Sequence, residues 1–148
     1  MKSVAVVSVV VAMSCVAGQA LAACETATRV TGTDLSTLIS GSLVCGRPAG
    51  GYAGAAGDRW QEEHRSGGQL WDYKKGPAPA EKIDPSKQVG TWSIANNTVT
   101  HSYTGGPSFT WTVHGSGGGV YSFCTGENGS EVVRAFISAG TGPCAGYP

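Results

Sequence analysis

From residue 42 onward the apolar positions fall in short alternating runs, broken by glycine, asparagine and proline. Side chains that alternate at period two mark half-buried strands. Eight such runs are readable: Ser42–Arg47, Asp58–Arg65, Gln69–Lys75, Val89–Ala95, Thr98–Thr104, Ser108–His114, Val120–Thr125 and Val132–Ser138. The later ones are separated by Asn96-Asn97, Gly105-Gly106-Pro107, Gly115–Gly119 and Gly126–Ser130, short breaks of hairpin composition. Pro48–Gly57 and Gly76–Gln88 are longer and are expected to be irregular loops. Asp58–Arg65 (DRWQEEHR) also carries helix-favouring residues. Its position across Ser66-Gly67-Gly68 from Gln69–Lys75 favours a strand. Ahead of the strands, Leu35, Leu38 and Ile39 share one face at helical spacing, with Asp34 as candidate cap and Gly41 as stop.

The pattern predicts an all-β chain with one short N-terminal helix. Its strands form an antiparallel eight-stranded meander. Closure into a small up-and-down barrel removes the exposed sheet edges. A two-sheet sandwich is the alternative.

Alternation also assigns faces. The inward set comprises Trp60, Glu62 and His64; Trp71 and Tyr73; Trp92 and Ile94; Val99, His101 and Tyr103; Phe109, Trp111 and Val113; and Tyr121 and Phe123. His114 points outward. The expected ligand-binding constellation is therefore an aromatic pocket of Trp60, Trp71, Tyr73, Trp92, Tyr103 and Trp111. Glu62, His64 and His101 are its polar anchors. The alternative is a solid core in which these groups satisfy one another. An eight-stranded barrel has room for side chains or for one small ligand, and the smaller ones are usually filled.

The first 22 residues read as an export signal. Lys2 precedes the apolar run Val4–Val16, whose 13 residues fall short of the roughly 20 needed to span a bilayer. Ala20-Leu21-Ala22 supplies a small-x-small cleavage pattern. Residues 23–148 then form a single domain with no transmembrane anchor, expected in the periplasm or outside the cell. Leu21-Ala22-Ala23-Cys24 also fits a lipobox, which would anchor the chain through a lipidated Cys24. Cleavage before Ala23 leaves Cys24, Cys45, Cys124 and Cys144, an even set suited to two disulfides. Sequence proximity favours Cys24–Cys45 and Cys124–Cys144.

Composition narrows the function classes. Ten Lys and Arg balance ten Asp and Glu, so no basic surface for nucleic acid is expected. Charged residues are only 14% and glycines number 23, which suits a turn-rich β protein. No catalytic residues are assigned. Glu62 and Glu63 point to opposite faces of a strand and cannot flank one bond. Motifs of nucleophilic hydrolases are missing, as are H-x-H, H-E-x-x-H and C-x-x-C. No metal site and no cofactor are expected.

The segments DRWQEEHR (Asp58–Arg65), QLWDYKKGP (Gln69–Pro77), VGTWSI (Val89–Ile94) and YSFC (Tyr121–Cys124) resemble small exported proteins of Gram-negative bacteria to which no activity is assigned. The resemblance implies a compartment and no functional residue. Architecturally, the meander is similar to calycins, the lipocalin and avidin class of ligand-binding barrels. Gly90-Thr91-Trp92 matches their G-x-W, but here it lies in the fourth strand rather than the first. Three functions follow as expectations. One is an exported, non-catalytic barrel binding a small apolar or aromatic ligand or an envelope partner. Another is a structural or inhibitor-like protein with a solid core. The third is a hydrolase using Glu62 and His64.

Overall fold

A computed structural model describes residues 23–48, 60–73 and 86–145. Residues 1–22, where an export signal is expected, and much of the two long connections lie outside the described residues. The elements are α1 (Gly32–Ile39), β1 (Ser42–Pro48), β2 (Trp60–Arg65), β3 (Gln69–Tyr73), β4 (Lys87–Ala95), β5 (Thr98–Tyr103), β6 (Ser108–Gly117), β7 (Val120–Cys124) and β8 (Glu131–Ala139). Every strand pairs antiparallel with its sequence neighbour, and β1 also pairs with β8, giving a closed barrel. The eight-stranded barrel is thus the architecture, and the sandwich is not. The ambiguous DRWQEEHR segment is a strand from Trp60 onward.

Turn chemistry explains the tight hairpins. Asn96 and Asn97 both take positive φ, 51° and 58°, as a two-residue hairpin turn demands. β6 runs further than expected. It bulges between Gly115 and Gly117, and the turn itself is Gly118-Gly119.

Helix α1 closes one end of the barrel. Leu35 and Ile39, one helical turn apart, are fully buried against Val44, Val99, Val113, Phe123 and Ala135 from five strands. Asp34 is not the cap. Thr31 holds that position without a side-chain cap bond, and Asp34 lies in the first turn, where its charge suits the helix dipole. The helix start is tied down by Asn97, whose Oδ1 accepts from the Gly32 N–H at 2.8 Å.

The disulfides differ from the sequence-local pairing. Cys24 bonds Cys124 and Cys45 bonds Cys144. The reason is barrel closure, which brings the two ends of the chain together and outweighs proximity in sequence. Each bond fastens a terminal strap to the barrel's outer face. The N-terminal strap crosses β6, where Val30 N–H donates to Val113 O at 2.8 Å. It covers His114, which faces outward as expected yet is fully buried, with Nδ1 2.9 Å from Glu25 O and Nε2 2.9 Å from Thr112 Oγ1. The C-terminal strap crosses β2. Gly142 N–H donates to Glu63 Oε1 at 2.9 Å, and Cys144 N–H donates to Gln61 Oε1 at 2.8 Å. Outward polar residues on these strands are buried because the straps supply their hydrogen bonds.

Candidate functional site

The interior combines two short segments from non-adjacent strands. Glu62 and His64 stand two apart on β2, and His101 and Tyr103 two apart on β5. Period-two spacing turns all four inward, and closure brings the two pairs face to face. His64 Nε2 lies 2.9 Å from His101 Nε2. The other ring nitrogen of His101, Nδ1, is 3.4 Å from Glu62 Oε2. The Tyr103 hydroxyl donates to Glu62 Oε1. Glu62, His64 and His101 are all buried, and one ligating atom from each falls within 4.8 Å of the others.

Burial governs the charge state. It pushes the Glu62 carboxyl up to about 8, helped by the nearby Asp72 and opposed by the Tyr103 hydrogen bond. It pushes His101 down to about 4. His64 is held well below the ordinary histidine range by burial and then by the neighbouring His101. Tyr103 is raised above its ordinary value by burial and by Glu62. The approach of His101 to Glu62 is within ion-pair distance, but burial keeps both partners neutral near pH 7. The contact is therefore a polar one between neutral groups. Within this cluster of four side chains, Glu62 Oε2 and His64 Nδ1 have no hydrogen bond.

Above this polar floor is a cavity of about 220 Å3, at the end of the barrel away from α1. Glu62, His101 and Tyr103 reach it from one side, and Phe109, Trp111 and Phe123 form aromatic walls. Phe109 stacks on Trp111 with ring centroids 5.6 Å apart and planes 11° apart. Phe109 is 41% exposed and stands at the mouth. Val132 and Val133 complete the lining. Adjacent strand residues normally face opposite sides. Here the β7–β8 register shifts between Phe123 and Cys124, and the extra residue, Val132, joins the cavity wall.

The structure therefore gathers Glu62, His64, His101, Tyr103 and Trp111 of the expected constellation. Trp92 is inward beside His64, with centroids 5.6 Å apart, and its indole N–H donates to Arg65 O at 3.0 Å. It packs behind the polar floor, not in the cavity lining. Trp71 does not belong to the interior. It is opposite Glu63 on the outer face, and the Arg65 guanidinium lies 3.8 Å from its ring centroid. Leu70, fully buried, takes the inward position on β3. The side chains of Trp60 and Tyr73 lie outside the described residues. Their backbones pair with Gly46 and Gln61. Phe109 and Phe123 were legible as inward residues through alternation. Val132 had no sequence signal, since a bulge interrupts the period.

Comparison with protein-family models, with curated proteins and with solved structures gave no match.

Proposed function

We propose that this barrel is an exported, non-catalytic binding protein for a small aromatic or apolar molecule carrying one polar group. The observation that carries the reading is the cavity of about 220 Å3 between aromatic walls and the Glu62–His101–Tyr103 floor. A dry apolar cavity of about 150 Å3 can hold a benzene ring, so this one accepts a substituted single ring or a compact bicycle. Phe109 and Trp111 offer a stacking platform, and ring pairs contribute roughly 0.5–1.5 kcal/mol beyond area burial. Glu62, protonated by burial, offers a hydrogen-bonding group at the bottom. Export is supported by the apolar leader-like run Val4–Val16 and by two disulfides, which persist in oxidising compartments. Among the described residues no helix is long and apolar enough to cross a membrane.

The test pairs two measurements. Native mass spectrometry of protein isolated from its own host should show a retained molecule or an empty cavity. Ligand-observed NMR with phenol and indole should show saturable binding that weakens in Phe109→Ala. A protein that emerges empty and binds neither probe at millimolar concentration is a filled structural barrel, and the proposal fails.

A further inference from the structure

We infer that Glu62, His64 and His101 form a binding site for one divalent first-row transition-metal ion, with an open coordination position facing the cavity. The donor set is two imidazoles and one carboxylate, the combination that suits zinc and iron in sites that keep a free position. One ligating atom from each residue falls within 4.8 Å of the others. The His64 and His101 Nε2 atoms are 2.9 Å apart. Two nitrogens bound to one metal at about 2.0–2.1 Å lie about 2.9 Å apart at a right angle and about 3.4 Å apart at the tetrahedral angle. The two nitrogens now share one hydrogen bond, and a metal would replace it at a spacing within about half an ångström of the present one.

A second observation points the same way. Glu62 Oε2, in a carboxyl group that is almost wholly buried, makes no hydrogen bond, and it lies 3.4 Å from His101 Nδ1. A buried carboxyl oxygen without a partner is expensive. A bound cation would satisfy it. Meanwhile Glu62 Oε1 is held by the Tyr103 hydroxyl, the kind of outer hydrogen bond that orients a ligating carboxylate. Glu62 and His101 line the cavity whereas His64 does not, so the open position would face the space that an organic ligand enters. Imidazole donors disfavour calcium and magnesium, which take oxygen ligands.

The inference does not depend on organic-ligand binding, and its test uses metal alone. Full-length mature protein, stripped with chelator and dialysed, is titrated with Co2+. One equivalent should produce visible d–d absorption, which Zn2+ should abolish by displacement, and Zn2+ should raise the thermal midpoint. His64→Gln and His101→Gln should each weaken Co2+ binding by more than the roughly 10–100-fold that loss of an outer partner costs. His114→Gln, on the other side of the wall, should leave it intact. Should the interior variants fail to fold, paramagnetic broadening in the wild-type amide spectrum locates the ion, and it should centre on residues 62, 64 and 101. The inference is overturned if the wild type takes up no Co2+ or Zn2+ in the millimolar range. Broadening centred elsewhere overturns it too, as does uptake unchanged in a folded His101→Gln.

Discussion

Raising the pH of the metal-free protein from 6.5 to 8 should destabilise it by about 2 kcal/mol relative to Glu62→Gln taken through the same range. The Glu62 carboxyl is pushed from its ordinary 4.5 up to about 8 in the folded barrel. Between those values the folded protein holds a proton that the unfolded chain has released. Stability from this group is full below pH 4.5 and is lost as pH rises through about 8. The histidines act in the opposite sense. His101 titrates at about 4 when folded and near 6.5 when unfolded, so its contribution is full above 6.5 and is lost as pH falls through about 4. His64 and His114 are shifted in the same direction. At pH 6.5 the unfolded histidines are still partly protonated, so they offset part of the loss in the wild type, but they are common to Glu62→Gln and cancel in the comparison. A one-proton difference changes stability by about 1.36 kcal/mol per pH unit. Over one and a half units, less the rounding as Glu62 itself begins to ionise, the difference between the two proteins is about 2 kcal/mol. Glutamine imitates the protonated acid, since its carbonyl can accept from Tyr103 and its amide can donate toward His101. The assay is urea unfolding in chelator at half-unit pH steps, on wild type and Glu62→Gln. Equal slopes in the two proteins refute the assignment of a buried neutral carboxyl.

Three further outcomes are expected. Non-reducing peptide mapping should recover Cys24 linked to Cys124 and Cys45 linked to Cys144; with separations of 100 and 99 residues, each should contribute up to about 4.7 kcal/mol by chain entropy, measured as the stability lost in the paired Cys→Ala variants. Gly90→Ala should destabilise by about 3 kcal/mol or more in urea unfolding, because a Cβ there would lie 2.1 Å from Ser102 O and 3.0 Å from Tyr103 Cα, both backbone atoms that cannot swing aside. Thr112→Val should cost about 1–3 kcal/mol by the same assay, since the buried Thr112 hydroxyl donates to Gly126 O and meets His114 Nε2; a neutral result would mean that this hydroxyl is not held by those two partners.

Much of this arrangement is written in local pattern. In β5 and β6 the inward residues alternate cleanly, so His101, Tyr103, Trp111 and Val113 could be placed before any coordinates. β3 defeats the same rule. In Gln-Leu-Trp-Asp-Tyr three bulky residues occupy both parities, and choosing the aromatics over Leu70 reverses the strand. Arg65 and Glu63 on the neighbouring strand settle the matter by giving Trp71 a charged platform outside. Thr112 shows a second limit. Alternation tells which side of the sheet a residue takes, not whether another segment covers that side. The straps that cover His114, Gln61 and Glu63 and the loop contact of Thr112 with Gly126 are non-local, as are the disulfides, and none leaves a periodic trace. The meeting of Glu62 with Tyr103 is also non-local, and it followed from parity only once closure was assumed.

The crossed disulfides make oxidation a readout of completed assembly. Cys24 and Cys45 precede β2, whereas Cys124 ends β7 and Cys144 follows β8. The native partners meet where the first and last strands of the meander meet, at the β1–β8 seam and the edges beside it. A chain emerging N-terminus first exposes Cys24 and Cys45 long before either native partner exists. Their easiest early reaction is with each other, which produces a small wrong loop, so efficient maturation needs thiol exchange or a delay in oxidation. Once β8 docks, the Cys45–Cys144 bond locks the β1–β8 seam, where the cylinder would otherwise unzip, and Cys24–Cys124 holds the N-terminal strap on β7. The same cysteine pairs thus serve as a checkpoint during biogenesis and as a clasp afterwards.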